Sequence, residues 1–201
     1  MNATRLSIPY CAVVAIVLSL SAPTARAASQ TYQLDPDHTR VTFGWTHLDF
    51  SHQNGRFNGV TGTLTFDPAN PAAGKVTVTI PIAEMDTGVV ALDKHLQSPE
   101  FFDAAQFPTA QFTSTAVKAT NSKHLQVIGN LTIHGVTKPV TLAVTINKTG
   151  TYPAMMGGLT VAGFDATTTI KRSDFGIAAY VPMVSDEITI GISSEAAVEK
   201  K

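Results

Sequence analysis

A period-two alternation of apolar and polar residues runs through most of this chain and constrains its fold more than any other feature. In HTRVTFGWTHL, Val41, Phe43, Trp45 and His47 share one face, while Arg40, Thr42 and Thr46 take the other. KVTVTIPI sets Val76, Val78, Ile80 and Ile82 against Lys75, Thr77 and Thr79. HLQVIGNLTI repeats the pattern with Leu125, Val127, Leu131 and Ile133, and VTKPVTLAVTINK with Val136, Val140, Leu142, Val144 and Ile146. Shorter versions occur at TYQL, GTLTF, AQFTSTAV, FDATTTI and DEITIGIS, which makes nine candidate strands. Successive side chains of a strand point to opposite faces, so each segment predicts a strand with one oily side. Turn material at Asn121-Ser122, at His134-Gly135 and from Pro68 to Gly74 makes the neighbours antiparallel. A one-sided antiparallel sheet of this size must close into a barrel or fold into a sandwich. The expectation is a single all-β domain, an antiparallel barrel of eight to nine strands.

The stretch LDKHLQSPEFFDAAQFP, residues 92–108, breaks the rhythm. Its spacing predicts a helix over Val89 to Ser98, capped by Asp86 or Thr87, with Leu92 and Leu96 stacked at i, i+4. Pro99 ends it, because the residue before proline is pushed out of the helical region. Ser98 and Pro99 open a second short turn with Glu100 at its positive end, giving a helical insertion near 89–104. Helices this short need packing to persist, and Leu92, Leu96, Phe101, Phe102 and Phe107 supply it.

The N-terminus bears on the compartment. After Arg5 comes an apolar run from Ile8 to Leu20, then Ala25-Arg26-Ala27, the small-x-small pattern of a secretory cleavage site. Residues 1–27 are expected to be a signal peptide and 28–201 the exported domain. The apolar run falls short of the roughly 20 residues needed to span a bilayer, so no stable membrane insertion is expected after cleavage. The sole cysteine, Cys11, lies in the leader, which leaves the mature chain without a disulfide or thiol. Without the leader, 12 basic residues face 15 acidic ones, a net charge of about −3. Such a chain has no electrostatic footprint for nucleic acid.

Catalytic and metal chemistry find little support. Asp93 and His95 are two apart and face different ways on a helix, and His47 with His52 makes only half a metal site. There is no G-x-S-x-G elbow and no glycine-rich phosphate loop. Asp93, His95 and Ser98 lie close in sequence, but a triad is defined by geometry that this order does not supply. The carboxylates Asp93, Glu100, Asp103 and Asp174 read first as caps and surface ion pairs. His134 before Gly135 reads as a hairpin turn, and Asp93 is the expected partner of Arg172. The interior is the remaining candidate. Its inward set mixes large residues with Gly62, Ala116, Gly129 and Ala166, which would leave room for a small guest.

Five ordered motifs then carry a family resemblance: LDPDHTRVTFGWTHL (34–48), LDKHLQSPEFFDAAQFPTAQF (92–112), GNLTIHGVTKPVTL (129–142), IKRSDFG (170–176) and VSDEITIGI (184–192). Together they resemble the YceI-like proteins, bacterial periplasmic proteins of lipocalin-like fold associated with polyisoprenoids and other long-chain amphiphiles. The resemblance implies a lipocalin-like barrel, a periplasmic location, a lipid partner, no cofactor and no catalytic activity. Leu92 stands where the family often has arginine, so any head-group role of that arginine does not carry over. The expected ligand wall is Phe43, Trp45, Leu64, Val78, Phe112, Leu131, Leu142 and Phe164. The insertion adds Leu92, Leu96, Phe101, Phe102 and Phe107 as a flap, and His95, Ser98, Lys171 and Arg172 are head-group candidates. Two rival readings are an enzyme acting on a small lipid or quinone-like substrate and a stress-response interaction module with a filled barrel. A homodimer stays open.

Overall fold

The computed structural model describes residues 29–198. The expected leader, its cleavage site and Cys11 lie outside the described residues. Eleven strands form one antiparallel sheet: β1 (Gln30–Leu34), β2 (Arg40–His47), β3 (Ser51–Phe57), β4 (Thr61–Phe66), β5 (Lys75–Pro81), β6 (Met85–Asp86), β7 (Thr109–Ala119), β8 (His124–Ile133), β9 (Val136–Thr151), β10 (Thr160–Lys171) and β11 (Glu187–Val198). The neighbour order β1-β4-β5-β7-β8-β9-β10-β11 closes through a β1–β11 pairing, an eight-stranded barrel. The wall forks along one edge of β11. Thr189–Ser193 pairs with β2, whereas Ala196–Val198 pairs with β1. At one end β1 and β4 therefore build the wall, and at the other β2 and β3 do.

All nine expected strands form; β3 and β6 were not foreseen. β3 reads SHQNGRF, and only Gly55 and Phe57 of it are buried. A glycine carries no oily side chain, so the strand shows no alternation to detect. Ala116 is a correction of a different kind. β7 is irregular between Ser114 and Ala116, so Ala116 turns outward to solvent and Val117 takes the inward place. A bulge of this sort reverses the facing of every residue after it. The β8–β9 turn is as read: His134 and Gly135 have φ of 51° and 73°, with Ile133 paired to Val136.

The one α-helix among the described residues, α1 (Val90–Leu96), is shorter than the expected Val89–Ser98, and its N-cap, Val89, makes no side-chain cap bond. The preceding loop is organised from within instead. Asp86 accepts from the Gly88 N–H, and the Asp93 carboxylate accepts from both the backbone N–H and the hydroxyl of Thr87 at 2.8 and 2.7 Å. Asp93 is therefore committed to Thr87 and does not pair with Arg172.

Candidate functional site

The barrel is hollow. A cavity of about 770 Å³ runs inside it, within the range of small-molecule sites. Residues of both ends line the same space: Pro71, Lys75 and Val117 at one end, and Leu48, Tyr180 and Met183 at the other. β10 and β11 pair over eleven residues, which at about 3.3 Å per residue and a tilt of about 40° gives a height of roughly 27 Å. Averaged over that length, 770 Å³ leaves a cross-section of roughly 28 Å², about 6 Å across. Carbon atoms touch at about 4 Å, so this lumen is wide enough to admit a hydrocarbon chain.

Aromatic rings lie against the wall rather than across the lumen, and glycines permit it. A Cβ on Gly129 would come within 2.4 Å of the Phe112 ring, and one on Gly55 within 2.5 Å of the Phe43 ring. Each ring occupies the place of the missing side chain on the neighbouring strand. Trp45 stacks on Phe43 at 5.7 Å, Phe43 meets Phe57 at 5.0 Å, and Phe57 meets Phe102 of the insertion edge-on at 5.8 Å. At the β1–β4 end, Phe66 contacts Tyr32 and Phe164 edge-on at 6.2 and 5.3 Å, forming a floor.

Fourteen of the expected residues line this lumen: Phe43, Trp45, Leu64, Val78, Leu92, His95, Leu96, Phe101, Phe102, Phe112, Leu131, Leu142, Phe164 and Arg172. Three do not. Phe107 packs edge-on against His134 at 4.9 Å and sits over Gly135, beneath the β8–β9 turn. Ser98 is a turn residue whose carbonyl accepts from Phe101 and Asp103 and whose hydroxyl is buried without a partner. Lys171 ends β10 on its outer face, exposed and paired in register with Glu187. Arg172, by contrast, opens the short helical turn that follows β10 and is buried.

The mouth lies where β2, β5, β8, β10 and α1 end. Arg172 is 7% exposed there and forms no ion pair among the described residues. Its Nε, Nη1 and Nη2 donate to the carbonyls of Ser185, Ile177 and Val184 at 2.9, 3.0 and 2.8 Å. Burial draws its pKa downward, opposed by the charge of Asp186. Asp186 is itself held below the usual carboxylate range: burial pushes it up, but bonds from the Ser173 N–H and hydroxyl outweigh that. His95 Nε2 meets Glu100 Oε2 at 2.8 Å, which lowers the Glu100 pKa, and the Tyr180 hydroxyl donates to the same oxygen. The Tyr180 ring stacks on Phe101. Tyr180 was missed because AAYVPMV shows no periodicity, and its one signal was an aromatic residue in a strand-free stretch next to a proline. Among the described residues, no group of three His, Cys, Asp or Glu is placed to hold a metal. His47 lines the lumen, whereas His52 faces out and bonds the Thr46 hydroxyl.

The comparisons with known proteins agree with this geometry. The family model described as the YceI-like domain matches residues 32–196. Protein YceI of Salmonella newport is 42% identical over 184 residues, covering 90% of this chain and 94% of that one. The crystal structure of Burkholderia cenocepacia BcnA superposes with a TM-score of 0.72 at 27% identity, covering 81% of this chain and 98% of that one. A polyisoprenoid binding domain from Saccharophagus degradans, implicated in plant cell wall breakdown, has the same fold (TM-score 0.66, 14% identity, covering 85% and 99%). By sequence and by architecture alike, this chain belongs to the YceI-like family.

Proposed function

We propose that this protein is an exported, periplasmic binding protein that carries one long-chain amphiphile of isoprenoid type in the barrel lumen. The observation that supports this reading is the form of the lumen: about 770 Å³ drawn out along the barrel, with oily walls. Polar side chains gather near the mouth, where His95, Arg172, Tyr180 and Gln53 line it. Each buried methylene contributes about 0.8 kcal/mol, so ten give roughly 8 kcal/mol before ordering costs. A chain therefore binds usefully without any polar contact along its length, and its head group rests at the mouth beside His95 and Arg172. The name of the Saccharophagus degradans neighbour supports the same ligand class. Export rests on the leader-like run before Ala28. The reading assigns the protein binding and release, with no bond made or broken.

The test is native mass spectrometry of protein purified from the periplasm, followed by solvent extraction. The expected result is a mature chain starting at Ala28 with one chain-like lipid bound. Ala166, buried and lining the lumen, offers a block. Ala166→Trp should fill the passage and lower lipid occupancy at least tenfold while the barrel still folds. Recovery of no lipid from the native protein, together with failure to bind an added prenyl alcohol, would refute the carrier reading.

A further inference from the structure

Among the described residues, seven of the nine large apolar residues that stand exposed belong to the β2–β3 turn, the start of α1, and the loop before β11. Five of these seven form the rim of the mouth: Leu48, Phe50, Tyr180, Val181 and Met183, with Phe50 90% exposed. The two rim segments lie about 130 positions apart in sequence, yet the Leu48 N–H donates to the Met183 carbonyl at 2.8 Å and His47 bridges Val184. Isolated exposed apolar residues are ordinary; a tied cluster of them marks an interaction site. The β2–β3 turn also holds Leu48 and Asp49 at φ of 51° and 58°. Hairpins usually place Asn or Gly at such positions, so an oily residue there exposes itself against the local preference.

We propose that this rim docks on the surface of a lipid bilayer, so that the ligand passes between membrane and lumen without crossing water. The inference rests on the reading of the lumen as a lipid site. What identifies the occupant is continuity: Leu48, Tyr180 and Met183 are exposed and also line the cavity, so the oily wall runs unbroken out to the rim. Each methylene left in water during transfer disfavours it by about fourfold, which a rim seated in the acyl boundary avoids. Tyrosine suits that depth, with an apolar ring and a wet hydroxyl, and a phenylalanine beside it belongs to the buried apolar face. The mature chain's net charge of about −3 provides no attraction to an anionic surface. Docking is therefore driven by apolar insertion, and it is shallow and reversible.

The experiment is flotation of the mature protein with phosphatidylcholine vesicles and, separately, with phosphatidylethanolamine–phosphatidylglycerol vesicles. The protein should float with both to similar extents, with little change on adding salt. Phe50→Asp and Val181→Asp alter rim residues outside the lumen and should each lower the vesicle-bound partition about tenfold or more. Met155→Asp, at an exposed site on the β9–β10 connection at the opposite end, should leave it unchanged. Binding of a fluorescent fatty acid without vesicles should be the same in Phe50→Asp as in the parent. Absence of flotation, or equal loss in Met155→Asp, overturns the docking proposal. So does a photo-crosslinker at position 50 that captures protein and no lipid in cells. If the parent floats but never binds the fatty acid, the lumen reading fails and the docking surface stands.

Discussion

At the scale of single residues, the lumen stays open because bulky rings have somewhere else to lie. Phe112 covers Gly129, and a Cβ there would meet the ring at 2.4 Å and the Thr113 carbonyl at 2.6 Å. Gly129→Ala must therefore push the ring inward and shift the backbone. The expected loss is about 1–3 kcal/mol, typical of overpacking, with weaker lipid binding alongside. Chemical denaturation read beside a lipid titration checks both, and an unchanged midpoint would show that the wall gives way elsewhere. Titration adds a second residue-level prediction. The Tyr152 hydroxyl donates to Glu195, and this bond, with burial behind it, pushes the Tyr152 pKa up to about 12. The fold thus favours the neutral phenol. Its contribution is full below the ordinary tyrosine value of about 10 and fades as pH climbs through about 12. A near-ultraviolet phenolate titration of the parent minus Tyr152→Phe should show a midpoint close to 12; a midpoint at the ordinary tyrosine value would mean the bond is not formed in solution.

At the scale of elements, alternation made the nine oily strands readable, because each side chain declares its face. It failed where the inner face is bare, as in β3 with Gly55, or where a bulge reset the phase, as at Ala116. The wall residues Leu131, Leu142 and Phe164 were legible for the same reason that the strands were. The mouth was less so, since it is built by loops whose residues meet only in space: Tyr180 reaches Glu100 across eighty positions. The insertion shows both outcomes. Leu92 and Leu96 face the lumen as their spacing required, but the anchoring of α1 is a side-chain bond from Asp93 to Thr87 that no capping pattern announces. Asp93→Ala removes the acceptor of both the Thr87 N–H and its hydroxyl. It should lower stability by about 1–2 kcal/mol. Amide exchange over residues 87–98 should quicken far more than in β8 or β9. Uniform acceleration across the barrel would mean that α1 opens only with the whole fold.

At the scale of the molecule, a lumen is a standing weakness that a guest can offset. The inner faces of the strands touch few atoms across the lumen, so the barrel by itself forgoes dispersion contacts that a filled core would make. A lipid that binds the closed barrel and not the unfolded chain stabilises it by about 2.7 kcal/mol at one hundred times its dissociation constant. For a domain of this size that corresponds to a rise in melting temperature of roughly 5–10 °C. Stripping the protein of lipid should lower the melting temperature by a similar amount, and adding a prenyl alcohol should restore it in proportion to the logarithm of its concentration. Ala166→Trp separates this linkage from ordinary packing. With the indole lying in the lumen, the variant should resemble the loaded parent in stability and respond to added lipid by no more than a degree or so. A variant that stays as lipid-responsive as the parent would place the guest somewhere other than the lumen.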